Sequence, residues 1–294
     1  MVQSKTLGSK IFNVFNMTLM SILAISCIYP LWYAFCLSVS NKAAANSGMV
    51  TIWPVGFSLA SYKEIMGDMQ FFRSFLISVE RTVFGTAFTM LVLIIFAYPL
   101  SKPTSEYRLK NIIMWIVIFC MIFNGGTVPW YNTMVKYHML NSMVGLILCG
   151  GLPVFNLILL VNFYRSLPKE LIEAARVDGA GEWKTLFRIV VPCAVPVLAT
   201  LVLFTSVAYW NEFFQGLVLS SSERYYPLQT YIKQMVVNIQ TTNLSMDQIE
   251  KMDKLSNKSL DAAKVFISMI PMLVVYPFLQ KYFVNGIMLG AVKE

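Results

Sequence analysis

Charged side chains are scarce in this chain of 294 residues. Asp, Glu, Lys and Arg make up 13% of the sequence and hydrophobic residues 57%, with a mean hydropathy of +0.62. Soluble domains carry about 25% charged residues, because their surfaces face water. The composition therefore excludes an ordinary soluble domain and indicates an integral membrane protein.

Metal-binding and disulfide patterns are also lacking. His138 is the one histidine, and the five cysteines lie in or beside apolar runs without forming a C-x-x-C pair. Zinc sites and disulfide frameworks both need spacings that this sequence does not contain. An enzyme that works inside the membrane is one functional class to consider. Such an enzyme would require facing carboxylates, a metal-ligand set or a serine–base pair within its spans. We therefore predict no catalytic residues, no metal site and no cofactor bound by this chain.

Two motifs for nucleotides and nucleic acids are missing as well. The sequence contains no G-x-x-x-x-G-K-[ST] phosphate loop, so we do not expect the chain to hydrolyse ATP by itself. It has no basic cluster interleaved with aromatic residues, which argues against nucleic acid as a partner. In a membrane protein, the positive residues behind the net charge of +8 set the orientation of the helices across the membrane and contact anionic lipid headgroups.

Long uncharged windows are what the sequence does contain. A spanning helix needs about 20 mostly apolar residues. Six windows meet or approach that length: Ile11–Asn41, Thr82–Ser101, Asn111–Val135, Tyr137–Tyr164, Ile189–Asn211 and Val265–Gln280. We predict an all-α fold with six transmembrane helices, in which Gly150, Gly151 and Pro153 lie inside the fourth. Residues 1–70 form the first helix and an outer loop in this scheme, and residues 71–294 form a core of five helices.

Lysine and arginine concentrate in alternate connections between these windows. Lys102, Arg108 and Lys110 lie between the second and third windows, whereas the connection after the third window carries only Lys136. Lysine and arginine favour the cytoplasmic side of a membrane protein. Both termini are therefore predicted to be cytoplasmic.

The segment from Pro168 to Pro192 concentrates charge between two uncharged windows. Pro168 suits the first turn of a helix, Gly179 suits its C-terminal stop, and a second helix is predicted to start near Gly181. The first helix is predicted to carry a narrow apolar strip: Leu171, Ala174, Ala175 and Val177. Acidic and basic residues are nearly balanced, whereas a helix lying on lipid carries mainly basic ones. We therefore predict a cytoplasmic hairpin over residues 166–190 that docks into another protein.

This segment also carries a family resemblance. Glu173-Ala174-Ala175, then Gly179, Ile189 and Pro192, match the "EAA – three residues – G – nine residues – I-x-L-P" signature of binding-protein-dependent ABC importer permeases, with Val191 in place of the usual leucine. "YWNEFF" (209–214) and "FVNGIMLGAVKE" (283–294) are similar to the carbohydrate-uptake branch, which includes the smaller maltose-type permease and permeases for complex polysaccharides. The resemblance extends over essentially the whole chain.

The resemblance implies a type I importer permease, multi-pass in a bacterial cytoplasmic membrane, with the hairpin as the coupling helix. The residues expected to contact the ATPase are Glu173, Ala174, Ala175, Asp178, Gly179, Ala180, Trp183 and Phe187. The implied partners are an ATP-binding-cassette ATPase dimer that holds ATP and Mg²⁺, a second homologous permease, an extracellular sugar-binding lipoprotein and membrane lipid. The implied cargo is an oligosaccharide, carried by alternating access. Peptides, amino acids or ions remain alternative cargoes.

A substrate pathway is indicated at the outer end of the fifth window. Tyr209, Trp210, Asn211 and Glu212 combine aromatic faces with an amide and a carboxylate, which suits saccharides. An interfacial aromatic belt gives the same pattern without any ligand, so both interpretations stay open. Glu80-Arg81 and Glu212 are expected at helix ends, either as interfacial anchors or as part of the pathway.

Overall fold

The structure is a computed structural model that describes residues 7–238 and 257–291. These residues are mostly helical and contain no strand, which agrees with the predicted all-α class. In chain order the helices are α1 (Leu7–Ser38), α2 (Lys42–Asn46), α3 (Ala60–Gly67), α4 (Met69–Ser101), α5 (Lys110–Ile122), α6 (Thr127–Lys136), α7 (Met143–Leu148), α8 (Val154–Ser166), α9 (Lys169–Val177), α10 (Glu182–Thr185), α11 (Val191–Cys193), α12 (Val195–Asn211), α13 (Phe214–Leu219), α14 (Leu228–Asn238) and α15 (Lys258–Ala291). A π-helical turn over Leu186–Val190 joins α10 to α11.

The chain divides into two compact units. One takes in the described parts of Met1–Met69 and Gln234–Ile270, and the other Gln70–Lys233 with the described residues from Pro271 onward. In the first unit, Ser259 of α15 donates to the carbonyl of Ser40 at 2.9 Å. In the same unit Lys264 pairs with Asp68 at 2.5 Å. These contacts hold the start of α15 against the connection after α1. The predicted functional division at residue 70 stays a prediction.

The core of the second unit is built around α4. Leu93, Ala97 and Leu100 of α4 are fully buried, as are Leu157 of α8 and Leu201 of α12. Close packing of such side chains gains van der Waals contact, which drives the association of helices that lipid surrounds. The three helices thereby form one apolar cluster that also takes in Leu186 and Val190 of the π-helical turn.

Membrane-spanning length is clear for two helices. Within the described residues, α1 and α4 are long and apolar enough to cross a bilayer, and two bent helix pairs raise the number to four if each pair forms one span. The second predicted helix begins at Met69, well before Thr82, and the sixth extends to Lys258–Ala291. The predicted total of six spans and the positions of the termini stay predictions.

Two predicted continuous helices are broken, and these expectations were wrong. The window Asn111–Val135 forms α5 and α6, which are bent by 114° at a break that contains Gly126 with φ of 89°. The window Tyr137–Tyr164 forms only α7 and α8. Gly150, Gly151 and Pro153 lie between these two helices rather than inside one. Gly151 has a φ of 63° and Pro153 caps α8 without donating an amide N–H, which explains the interruption.

The fifth window begins with a bend that contains two prolines. The segments Glu182–Cys193 and Val195–Asn211 meet at 82°. Pro192 lies in α11 and Pro196 in the first turn of α12, where proline interrupts the preceding hydrogen-bond ladder.

Candidate functional site

The hairpin predicted over residues 166–190 is present as α9, a tight turn and α10. Gly179 adopts a φ of 72°, a conformation that strains any residue with a Cβ. Its N–H donates to the carbonyl of Arg176 at 3.0 Å, and the N–H of Ala180 donates to the carbonyl of Ala175 at 2.9 Å. This pair of bonds is the Schellman motif, which ends a helix by satisfying its last carbonyls. The predicted role of Gly179 as the stop of α9 is therefore confirmed.

Most of the expected coupling residues lie at the surface. Glu173, Ala174, Asp178 and Gly179 are exposed, Ala180 is half-buried, and Ala175 is buried. Of the predicted apolar strip, Ala175 is buried within the chain, whereas Leu171, Ala174 and Val177 are exposed, Val177 to 87%. A short helix that projects from a bundle has too little neighbouring surface to cover a whole strip.

Aromatic side chains dominate the second arm of the hairpin. Trp183 is 64% and Phe187 43% exposed, and their rings stack at 6.1 Å with an interplanar angle of 8°. Leu186, between them in sequence, is buried in the core. The arm is thus anchored on one side and presents a flat apolar surface on the other, an arrangement typical of protein contact sites.

Four charged side chains join the hairpin to the connection after α4. Lys102 contacts Glu182 at 2.5 Å, Glu182 contacts Arg176 at 3.7 Å, Arg176 forms a close pair with Glu106, and Glu106 lies 3.9 Å from Lys102. We call these four residues the charge ring, because each carboxylate lies between two cations. Tyr98 of α4 adds a hydrogen bond, since its hydroxyl donates to Glu182 at 2.7 Å.

The charge ring shifts the titration of its members. The hydrogen bond from Arg176 and the nearby charges of Arg176 and Lys102 lower the pKa of Glu106 below its ordinary value, despite partial burial. The same hydrogen bond raises the pKa of Arg176. Both shifts favour the charged forms, so the pair of Glu106 and Arg176 is ionised near neutral pH.

A pocket of about 280 Å³ lies beside the break between α7 and α8. Its wall combines hydroxyl, amide and charged groups with aromatic rings and exposed backbone. The lining residues are Arg81, Thr89, Gly150, Gly151, Pro153, Asn156, Phe204, Thr205, Ala208, Tyr209, Glu212 and Gln215. Asn156 donates to Thr205 at 3.2 Å across this wall. The broken helix, which the sequence did not predict, is what opens the space.

Arg81 organises one side of the pocket. Its side chain is fully buried well inside α4, which corrects the expectation of an interfacial anchor at a helix end. It donates from Nε to the carbonyl of Leu146 at 3.0 Å, from Nη2 to Oε1 of Gln215 at 2.5 Å, and from both Nη atoms to Glu212 at 3.3 Å. Arg81 therefore joins α4 to the end of α7 and to the α12–α13 junction.

Two of the four predicted pathway residues line this pocket. Tyr209 and Glu212 do so, whereas Trp210 is buried against Phe75 with ring centroids 5.8 Å apart, and Asn211 points to the exposed side and does not line it. The Tyr209 hydroxyl donates to the carbonyl of Ile147 at 2.8 Å. Sequence reasoning left a pathway role of Arg81 as one of two alternatives, and it missed Gln215 and Asn156 as members of this site. An arginine and a glutamate within charge-poor segments were the available signal.

Comparisons with known proteins cover nearly the whole chain. The family described as "Binding-protein-dependent transport system inner membrane component" matches residues 2–288. The chain is 33% identical to Protein LplC of Bacillus subtilis (strain 168), over 98% of this chain and 97% of that protein. It is 30% identical to the polygalacturonan/rhamnogalacturonan transport system permease protein YtcP of the same organism, over 97% and 99% of the two chains.

A solved structure resembles the fold closely. It is described as a crystal structure of a bacterial ABC transporter involved in the import of the acidic polysaccharide alginate. One of its chains is 31% identical, and the match covers 95% of this chain and 99% of that chain with a TM-score of 0.84. The broken helices and the projecting hairpin thus belong to a fold that occurs in a known transporter.

Proposed function

This chain belongs to the binding-protein-dependent transport system inner membrane component family, and on that premise we propose that it is the permease subunit of an ATP-driven oligosaccharide importer. It forms half of a pore with a second homologous permease and works by alternating access. The observation that carries the proposal is the hairpin, which presents the stacked Trp183 and Phe187 on an otherwise charged projection.

The hairpin supplies the contact with the motor. The sequence contains no phosphate loop, so ATP and Mg²⁺ are bound by a separate ATPase dimer, and this chain receives the movement mechanically. Glu173, Ala174, Asp178 and Gly179 are exposed, as a docking surface requires. Ala175 is buried and Ala180 half-buried, so we assign these two to shaping the turn and the exposed residues to the contact itself.

The membrane arrangement follows from the helices and the charges. We propose six spans in a bacterial cytoplasmic membrane, with α1, α4 and α15 as single helices and the remaining three formed by the broken segments. Broken helices are tolerated in membranes where they line a cavity, and the break between α7 and α8 does so. The cytoplasmic placement of both termini and of the hairpin rests on the lysine and arginine distribution.

The cargo is assigned from the pocket. Neutral hydrogen-bonding groups, the Tyr209 ring and the Asn156 amide suit a saccharide, whose hydroxyl groups need many partners. Arg81 and Glu212 form an ion pair with each other, so the pocket leaves neither charge unpaired to bind a small inorganic ion. A relative named for polygalacturonan/rhamnogalacturonan transport and a solved transporter involved in alginate import support a polysaccharide fragment over peptides, amino acids or ions. An extracellular binding lipoprotein would deliver that fragment.

The test is reconstitution of the importer from its own genetic locus. The tagged chain should co-purify with an ATPase subunit and a second permease. ATP hydrolysis in lipid nanodiscs should rise when binding protein loaded with neutral or uronic-acid oligosaccharides is added, and di- and tripeptides should give no rise. Purification of the chain without an ATPase subunit, or stimulation by peptides alone, would contradict the proposal.

A further inference from the structure

The charge ring joins three separate segments of the chain. Lys102 and Glu106 belong to the connection after α4, Arg176 to the last turn of α9, and Glu182 to the first turn of α10. A cation at a helix C-terminus and an anion at a helix N-terminus are each stabilised by the helix dipole. Both arms of the hairpin therefore present a favourably placed charge to the same connection.

Packing alone attaches the two arms unequally. Leu186 and Val190 follow α10 and are buried in the core, whereas Ala175 is the buried residue of α9. A cavity of about 350 Å³, lined in part by Tyr98, Tyr107 and Trp183, lies beside the ring. Apolar contact between α9 and the rest of the second unit is therefore small. For this reason the attachment of α9 depends mainly on the ion pairs that Arg176 forms with Glu106 and Glu182.

One continuous helix leads from the ring to the pocket. Tyr98, which donates to Glu182, lies on α4 together with Thr89 and Arg81, which line the pocket. Arg81 and Tyr98 are separated by 17 positions of α4, which correspond to about 26 Å of helix axis. A helix of this length is stiff enough to carry a displacement from one end to the other.

We propose that the charge ring is the joint through which movement of the hairpin reaches α4 and, along α4, the pocket. This inference rests on the proposed function of the hairpin as the contact with an ATPase. Lys102, Glu106, Arg176 and Glu182 act as positioning residues, and none of them contacts the cargo. Alternation of charge around the ring is the required property, because any single reversal places like charges side by side.

The experiment measures how accessible the pocket is to a labelling reagent, and it needs no identified cargo. The tagged chain is purified as the importer complex in nanodiscs, with its native cysteines replaced and Ala208→Cys introduced as a label site, since Ala208 is exposed and lines the pocket. The rate of maleimide labelling is measured with and without ATP plus vanadate. We expect the rate to change about tenfold, because trapping makes a minor state of about 10% the dominant one.

Three variants in this background test the joint. Glu106→Lys reverses one charge of the ring without altering the hairpin surface. Glu106→Gln removes the same charge without reversing it. The combined variant Lys102→Glu, Glu106→Lys, Arg176→Glu and Glu182→Lys restores alternation with every sign inverted. Arg108→Glu reverses an exposed charge in the same connection outside the ring and serves as the matched control.

The proposal expects a specific pattern. Glu106→Lys should retain the ATPase subunit but lose the vanadate-dependent change, Glu106→Gln should show a reduced change, and Arg108→Glu should show most of it. The inverted ring should recover part of the change, because it restores alternation but loses the Tyr98 hydrogen bond to Glu182 and opposes the helix dipoles. An unaltered change in Glu106→Lys, loss of the ATPase subunit from that variant, or no recovery in the inverted ring would each overturn the joint. If the parent complex lacks an ATPase subunit, the proposed function fails, and the joint fails with it.

Discussion

Oε2 of Glu212 lies 3.3 Å from both terminal guanidinium nitrogens of Arg81, a side chain that no solvent reaches. The two residues are separated by 131 positions in the sequence. The Glu212 carboxylate also accepts from the backbone N–H of Gln215, at 2.9 Å to Oε1. The pair thus closes one side of the pocket and begins α13 at the same time, so that its loss affects both shape and stability.

Arg81→Ala should destabilise the chain strongly. Removing one partner of a buried ion pair leaves the other charge uncompensated and costs about 3–5 kcal/mol. Chemical denaturation in detergent should therefore show that the free energy of unfolding falls by about 3 kcal/mol. This value is the lower end of the range, because Glu212 is partly exposed. Arg73→Ala, an exposed arginine of the same helix, should change it by less than about 0.5 kcal/mol. Equal effects of the two substitutions would refute the structural role of the pair.

Gly85→Ala should displace Tyr209 from the pocket wall. A Cβ built at Gly85 lies 2.7 Å from Cζ of the Tyr209 ring, so the ring must move and give up its hydrogen bonds to Ile147 and Thr89. Overpacking of this kind costs about 1–3 kcal/mol. Transport by the reconstituted importer should fall, as should thermal stability.

Gly67→Ala is the matched control for this substitution. No atom lies within 4 Å of a Cβ at Gly67, so stability should stay close to that of the parent. Tyr209→Phe, which keeps the ring and removes only its hydroxyl, should give an effect smaller than that of Gly85→Ala. A Gly85→Ala protein with parental transport and stability would show that the ring has room to move.

Local features of the site were predictable from the sequence, and long-range ones were not. The stop of α9 at Gly179 and the bend near Pro192 depend on the conformations open to glycine and proline, which neighbouring residues scarcely alter. The Arg81–Glu212 pair depends on which helices pack together, and a single sequence does not contain that information.

Hydropathy also failed to locate the broken helices. The window Asn111–Val135 contains no charge, so it satisfies the length criterion for a span although Gly125 and Gly126 interrupt it. A pair of glycines changes the average hydropathy of a window only slightly. It nevertheless disfavours a helix, because glycine loses more conformational entropy than any other residue when the helix forms. The polar segment 239–256 and the C-terminal residues 292–294, which include part of the "GAVKE" passage, lie outside the described residues.

Gly179→Ala should weaken the turn of the hairpin. Alanine at a φ of 72° is strained and costs on the order of 1 kcal/mol, and Gly179→Pro is incompatible with this backbone because proline fixes φ near −65°. Retention of the ATPase subunit and transport should fall modestly for alanine and be abolished for proline, with membrane insertion intact. Gly181→Ala, at a φ of −71° and with open space around it, should behave like the parent.

Glu173→Lys tests the docking surface of the same hairpin without touching its backbone. Glu173 is exposed, so reversal of its charge should leave folding unchanged while transport is abolished. Uptake equal to that of the parent would argue against contact of this face with an ATPase. Glu173→Gln, which removes the charge without reversing it, should give an intermediate loss.

Acidification should weaken the charge ring in a defined direction. Arg176 and Lys102 lower the pKa of Glu106, while Glu182 opposes the shift. A carboxyl whose folded pKa is lowered contributes stability above its ordinary pKa of about 4.3 and loses that contribution as pH falls through the lowered value. The thermal unfolding of the parent and of Glu106→Gln, compared from about pH 7 to about pH 3, should therefore differ at neutral pH and converge at the acidic end. A constant difference over this range would show that Glu106 stabilises the chain through packing rather than through its charge, and Arg108→Gln should follow the parent at every pH.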